Sequence, residues 1–288
     1  MRLNFKKTVA LLLSVLCLMT VAAPMMSATT QNRIKFPTNA SNVVIYSGKS
    51  RVLEGEAAII DSVTYVGLRA FCDLFGDYDI SWNDRTKTAS VKSDGFSMTA
   101  TRGDVYIYAN GRCLYTVTPI KIIDDRICVP IRPIAKALGV SVDWDGATRS
   151  VTLTKGNRKF AWADSYYNAD DLYWLSRIIS AEAKGESLKG QIAVGNVVLN
   201  RVRSKSYPNT IYGVIFDRKN GTQFSPVSLG TIYAKPTASA VIAAKICLEG
   251  YTLSNDILFF MNPRIATNNW ISKNRPYVFT IGNHRFYR

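Results

Sequence analysis

Few residues in this 288-residue chain could do chemistry on a substrate, and their scarcity is informative. There is one histidine, His284, so neither a copper centre of several imidazoles nor a His-rich catalytic zinc can be assembled. From residue 171 onward only six acids occur: Asp171, Glu182, Glu186, Asp217, Glu249 and Asp256. One of them continues an apolar pattern. The segment from Leu172 to Ala183 reads as a helix with a stripe of Leu172, Leu175, Ile178 and Ile179, and the next position on that stripe is Glu182. A carboxylate on a core-facing stripe is costly unless it is paired, protonated or lining a cleft. An apolar wall there would raise its pKa toward the range useful to a general acid. The competing reading is a helix-end glutamate turned to solvent, since Gly185 follows. Glu186 is either a second carboxylate beside the same wall or a capping partner of the next helix. The remaining four acids fall at helix ends, in a charged turn or at a strand start.

The elements that must position Glu182 follow from periodicity and end signals. Asp170 and Asp171 supply a cap and first-turn charge for its helix. A second helix runs from about Ser187 to Ser204, with Asn196 and Asn200 sharing a face at i and i+4, read as exposed or capping amides. Further elements are a short helix at Thr210 to Phe216, a helix from Thr237 to Glu249 closed by Gly250, and a strand at Ile257 to Met261. A terminal hairpin joins Tyr277 to Ile281 with Arg285 to Tyr287, turning at Gly282-Asn283. This half reads as helices around a small antiparallel sheet. Cys247 with His284 would be the only thiol–imidazole pairing available, but "AAKICLEG" reads as a buried helical face.

The first half is organised differently, by an internal repeat. Arg69, Gly76 and Trp82 recur as Arg132, Gly139 and Trp144, at offsets of 63, 63 and 62 residues. Each unit reads as a strand, a short helix ending at the glycine and a hairpin strand pair, a repeated β-α-β-β module. Asn110-Gly111 turns a separate hairpin between the two copies. The fold class expected for the whole chain is α+β. Residues 156–170 are polar and aromatic without periodicity and read as a linker. At the N-terminus, Arg2, Lys6 and Lys7 precede an apolar run from Val9 to Val21 and small residues to Ala28, the layout of a signal peptide over residues 1–28. That predicts an exported protein without a stable membrane span after cleavage. No disulfide framework is legible in Cys72, Cys113, Cys128 and Cys247.

Two resemblances attach to these residues. "YVGLRAFCDLFG…SWN" and "VPIRPIAKALGVSVDWDGATRSVTL" resemble the copper amine oxidase N-terminal-like domain, over about residues 40–155. That half has no histidine and its acids are scattered, so no metal or other cofactor is expected, and a structural or wall-associating role is implied. "LSRIISAEAKGESLKGQIAVGNVVLNRVRSKSYPNTIYGVIF", "TQFSP", "ILFFMNPRIATNNW" and "YVFTIGNHRFYR" resemble the SleB/CwlJ-type cell wall hydrolases, over residues 171–288. This resemblance implies a lysozyme-like, mainly helical catalytic domain cutting the glycan strand of peptidoglycan in the manner of lytic transglycosylases. It places the catalytic glutamate of "AEA" at Glu182, the residue the helical stripe singles out. It implies substrate contacts at Gln223, Phe224, Ser225, Asn262, Asn268, Trp270 and His284. Trp270 could equally be a core residue, Asn262-Pro263 a turn, and His284 a structural side chain. An anhydro-forming reaction and a hydrolysis both remain open, as do spore cortex and vegetative wall as substrates.

Charge agrees with a wall polymer. The chain carries a formal +15. Residues 171–288 hold 15 basic and 6 acidic side chains, a net +9, against +3 for residues 29–170. A basic surface calls for an acidic partner. No nucleic-acid motif is present and the expected signal peptide points outward; the resemblance implies peptidoglycan as the partner and the wall or spore cortex as the location. The alternative reading is a non-catalytic wall-binding protein that keeps the fold.

Overall fold

The structure is a computed structural model that describes residues 33–219 and 221–288. The expected signal peptide lies outside the described residues. β1 (Val44–Ser47), β2 (Ser50–Val52), β3 (Ala57–Ile60) and β4 (Val63–Gly67) lead into α1 (Leu68–Asp73). The hairpin of β5 (Asp79–Asn83) and β6 (Thr88–Ser93) follows, continued by β7 (Phe96–Thr101), β8 (Tyr106–Ala109) and β9 (Arg112–Tyr115). Then come β10 (Lys121–Ile123), β11 (Arg126–Pro130), α2 (Ile131–Ala137), β12 (Val140–Asp145) and β13 (Ser150–Lys155). These strands form three sheets, ordered β12-β13-β1-β2, β10-β11-β4-β3 and β5-β6-β7-β8-β9. β4 and β11 pair antiparallel, Val66 opposite Val129, so the strands that precede the two arginine-bearing helices lie side by side.

Alternation builds these sheets. Ala89 and Val91 on β6, and Met98 and Ala100 on β7, point into one core while their neighbours face outward. Asn110 and Gly111 both take positive φ, 46° and 78°, as a two-residue hairpin turn with matching twist requires. Asn110 is also buried. Its side chain accepts from the Ser97 amide (2.8 Å) and donates to the Phe160 carbonyl (2.8 Å).

The C-terminal part opens with α3 (Ala163–Tyr166), α4 (Ala169–Ala183), α5 (Leu188–Arg203), α6 (Ile211–Phe216) and α7 (Ser225–Ser228). It closes with α8 (Ala238–Leu248), β14 (Phe259–Met261), α9 (Trp270–Asn274), β15 (Tyr277–Ile281) and β16 (His284–Tyr287). The last strands make a small antiparallel sheet, β14-β16-β15. α4, α5 and α8 bury Leu175, Ile178, Ile179, Ile192, Val198 and Ile246 in one cluster. Gly195 permits their close approach, because a Cβ there would stand 2.7 Å from Cys247 Sγ and 2.9 Å from Ile179 Cδ1. The cap of α4 is Asn168, not Asp170 or Asp171. Its side chain accepts from the Asp170 and Asp171 amides (2.9 and 3.1 Å), leaving the two acids as first-turn charge.

The stretch expected as a linker is packed. The Ala163 amide donates to the Asn110 carbonyl (2.8 Å), and buried Tyr167 reaches Glu249 (2.9 Å). Cys113 of β9 lies in the same apolar cluster as α4, α5 and α8. Residues Ile34–Arg288 accordingly cluster as one compact unit. Among the described residues, no helix is long and apolar enough to cross a membrane.

Candidate active site

α4 ends one residue after Glu182, at the negative end of a 15-residue helix. The stripe behind it, Leu175, Ile178 and Ile179, is fully buried, and Glu182 continues it at the edge of that core, half-buried. Among the described residues no donor hydrogen-bonds its carboxylate. Burial pushes its carboxyl up to about 7, against the opposing pull of the Arg201 charge. A carboxyl in that range gives up and takes back a proton near neutral pH, as general acid–base work requires.

Arg201 on α5 is the cation facing this site. It is buried and forms no ion pair among the described residues. Burial pushes it below its ordinary value, while Tyr207, Asp217 and Glu182 oppose that shift. Its Nε donates to the Leu258 carbonyl (2.8 Å), with a longer contact to Gln223 Oε1 (3.5 Å). Its guanidinium lies 5.0 Å from the Tyr207 ring, 5.1 Å from Phe224 and 5.5 Å from Phe259.

The same helix face fixes the segment before β14. Asn196 donates to the Tyr251 carbonyl (3.0 Å) and accepts from the Leu253 amide (2.9 Å). Asn200 donates to the carbonyls of Ser254 (2.9 Å) and Ile257 (3.0 Å). Both amides are buried, which corrects their reading as exposed or capping residues. An irregular segment packed on a helix has backbone groups that no ladder satisfies, and these side chains satisfy them. They thereby set β14, whose Phe259 and Phe260 form an aromatic hub. Phe260 meets Phe224 (6.5 Å) and His284 (5.2 Å); Phe259 meets Trp270 (6.4 Å).

The expected site residues divide around this hub. Gln223 touches Arg201, and its Nε2 donates to the Gly221 carbonyl (3.2 Å). Phe224 is only 2% exposed and belongs to the helical core, so its ring supports Arg201 and presents no face to a ligand, a correction to its expected role as a contact. Ser225 is exposed at the start of α7. Trp270 is half-exposed against Phe259, with the Arg275 guanidinium 5.1 Å from its ring. His284 is buried, its Nδ1 has no partner among the described residues, and burial lowers its pKa against the Glu186 charge. Asn262 and Asn268 act in turns, accepting from the amides of Arg264 (3.0 Å) and Trp270 (2.8 Å). Glu186 is engaged by the terminal hairpin: Asn283 donates its amide (3.2 Å) and its Nδ2 (2.9 Å) to the carboxylate. Ser187, rather than Glu186, caps α5, accepting from the Gly190 amide. Arg201, Phe259 and Phe260 were not singled out from sequence, although Arg201 directly follows the Asn196/Asn200 pair and both phenylalanines stand in "ILFFMNPR".

Comparison with known proteins places the two halves of the chain in classes. The family model described as Cell Wall Hydrolase matches residues 185–287, and that of the copper amine oxidase N-terminal domain matches residues 45–153. The chain thus carries a cell wall hydrolase domain of the SleB/CwlJ type behind a copper amine oxidase N-terminal-like domain. More particularly, it is 38% identical over 156 residues to a spore cortex-lytic enzyme of Bacillus cereus, covering 50% of this chain and 59% of that protein. A spore cortex-lytic enzyme of Oceanobacillus iheyensis is 34% identical over 148 residues, covering 51% and 49%. The chain therefore spans about half the length of the curated relatives it matches. A solved structure, the catalytic domain of the germination-specific lytic transglycosylase SleB of Bacillus anthracis, is 37% identical; it is covered to 97% by 42% of this chain, with a TM-score of 0.39.

Proposed function

We propose that this protein cleaves the glycan strand of peptidoglycan, with Glu182 as the catalytic acid and base. The observation that carries the reading is a half-buried carboxyl without a hydrogen-bond donor among the described residues, held near neutral pKa in the field of a buried arginine. Protonated Glu182 gives its proton to the glycosidic oxygen between N-acetylmuramic acid and N-acetylglucosamine, and the bond to the muramyl carbon breaks. The carboxylate then takes a proton from the muramyl 6-hydroxyl, which closes an anhydro ring, or from water, which leaves a reducing end. Two-carboxylate glycosidases place their second acid about 5 to 9.5 Å from the first. Glu186, the candidate four residues on, is occupied by Asn283, which favours a single-glutamate route. The naming of a 37% identical solved domain as a lytic transglycosylase supports the anhydro outcome.

The remaining assignments belong to the same reading. Residues 171–288 form a lysozyme-like catalytic domain. Residues 40–155 are two copies of one β-α-β-β unit, and residues 156–170 join the two domains. The protein is exported through residues 1–28 and acts in the wall or the spore cortex; the spore enzymes among its relatives favour the cortex. Trp270 and Gln223 contact the glycan, and Ser225, Asn262, Asn268 and His284 shape the surrounding groove.

The test is muropeptide release by the full chain from purified cortex and vegetative peptidoglycan, read by mass spectrometry. Glu182→Gln should lower release by about 10²–10⁴-fold, the range general acid–base catalysis contributes. Anhydro ends identify the transglycosylase and reducing ends the hydrolase. Full release by the variant would overturn the assignment of Glu182.

A further inference from the structure

The N-terminal part contains two clefts at matching places. One, of about 480 Å³, is lined by Arg69, Trp82, Glu56, Asp73 and Asp125 among others. The other, of about 760 Å³, is lined by Arg132, Trp144, Arg149, Tyr115 and Val117 among others. Their frames correspond in detail. Arg69 donates to the Ile80 carbonyl (3.1 Å), two residues before Trp82; Arg132 donates to the Val142 carbonyl (3.3 Å), two residues before Trp144. The two indoles are exposed to the same degree, 44% and 43%.

Their chemistry has diverged. The smaller cleft neutralises itself: Arg126 pairs with Glu56, and the Trp82 indole N–H points to Asp84 (3.5 Å). The larger cleft has two arginines and no acid in its lining. Neither Arg132 nor Arg149 meets a carboxylate, and the Trp144 indole N–H finds no acceptor, among the described residues. The acid next to Trp144, Asp145, is turned to its own loop by the Ala147 amide (2.8 Å) and the Thr148 hydroxyl (2.7 Å).

The rim adds a separate observation. Val117 has φ +65° and is 61% exposed, a combination that a β-branched residue rarely adopts. The Thr118 amide donates to the Thr116 carbonyl (2.7 Å), closing a strained three-residue turn around it. Such strain gathers at binding sites, where the surroundings hold a side chain toward a ligand.

We infer that the cleft between Arg132, Trp144 and Arg149 is a second glycan-binding site, which holds a carboxylate-bearing glycan strand apart from the candidate active site. A sugar ring presents an apolar C–H face that suits the exposed indole, and the free indole N–H suits a ring hydroxyl. The two unpaired guanidinium groups suit carboxylates carried by the strand or its peptide stems. The choice of wall glycan as ligand rests on the reading under Proposed function. Two contacts on one strand would raise its effective concentration at the candidate active site.

The test is co-sedimentation of the full chain with peptidoglycan sacculi stripped of protein and of teichoic polymers, in a Glu182→Gln background that does not consume the ligand. Adding Trp144→Ala, or Arg132→Ala with Arg149→Ala, should weaken binding about tenfold, and the arginine effect should shrink as salt rises. Trp144→Phe, which keeps an aromatic face, should retain most of the binding, and thermal unfolding checks that each variant folds. Binding by both variants within twofold of the parent would overturn the inference. So would a loss seen only with sacculi that retain teichoic polymers, which would assign the cleft to another anionic polymer, or only with an acidic protein. Muropeptide release by the unsubstituted chain is scored separately. Release with intact binding in the cleft variants would sink the second site alone; no release with weakened binding would sink the catalytic reading alone.

Discussion

Two glutamates close two helices of the same helical part, and their surroundings send them in opposite directions. Glu182 stands one residue from the end of α4, and Glu249 caps the end of α8. Both sit at the negative end of a helix dipole, where a carboxylate is disfavoured. Burial would raise Glu249 too, but hydrogen bonds from Arg112, Lys136 and Tyr167 outweigh it and hold its carboxyl below the usual range. Arg112 grips it with Nε (2.6 Å) and Nη2 (2.8 Å) while packed between the rings of Phe160 (4.0 Å) and Tyr166 (3.3 Å). Glu182 feels the Arg201 charge without pairing with it and, among the described residues, accepts from no donor. Burial alone therefore does not make a carboxylate reactive. The count of donors decides whether it becomes a strut or an acid.

The strongest way to break this comparison is to remove the strut. The Glu249 side chain is 3% exposed and that of Arg112 is 5% exposed, so Glu249→Gln leaves a buried guanidinium without its anion. The expected loss is about 3–5 kcal/mol of unfolding free energy in urea at pH 7. Since the folded pKa of Glu249 is depressed, its stabilising contribution is present above the unfolded carboxyl value and disappears as pH falls through the folded one. The variant and parent should therefore converge in stability at low pH. A loss that persists unchanged there would deny Glu249 its role as a charged strut.

Removing the acid should do the reverse, and by somewhat less. The folded pKa of Glu182 is raised from 4.5 to about 7, so the folded state holds its proton more tightly than the unfolded chain does. The carboxyl costs nothing below about pH 4.5; the cost grows between pH 4.5 and 7, as the unfolded chain ionises and the folded one does not, and levels off above 7 at up to about 3 kcal/mol. Glu182→Gln should therefore be more stable than the parent at pH 8 and equal to it at pH 4, by denaturant unfolding at both values. Equal stability at both would mean that Glu182 is not held in a desolvated place.

The contrast also explains what the sequence could reveal. Glu182 was legible because its signal is local: a helical period of 3.6 carries an apolar stripe onto an acid within the same helix. The Asn110-Gly111 hairpin, the helix beginning at Thr237 and its stop at Gly250 were legible for the same reason, each being settled by neighbours in the chain. Glu249 looked like an ordinary helix end because its partner Arg112 lies 137 residues away. Asn196 and Asn200 looked exposed because the carbonyls they satisfy are 54 to 57 residues further on. Phe224 carries a motif but is packed under Arg201, and nothing in "TQFSP" distinguishes a supporting ring from a contacting one. The residues 156–170 looked like a linker because their order comes from Asn110 and Glu249, neither of them near in sequence.

Arg201 offers the smallest and most selective test of the difference. It lowers the pKa of Glu182 against the larger effect of burial, so removing its charge should raise that pKa further. If Glu182 acts as an acid, activity falls as pH rises through its pKa, and Arg201→Met should move this limb of the pH–rate profile upward. The move should be smaller than the shift that burial imposes. Arg201→Lys keeps the charge but cannot reproduce the guanidinium fork that meets Leu258 and Gln223, so it should leave the limb close to the parent's while lowering the rate through misplacement of β14. A limb that moves equally in both variants would show that Arg201 acts on Glu182 through packing, and the charge contrast between the two glutamates would then rest on Glu249 alone.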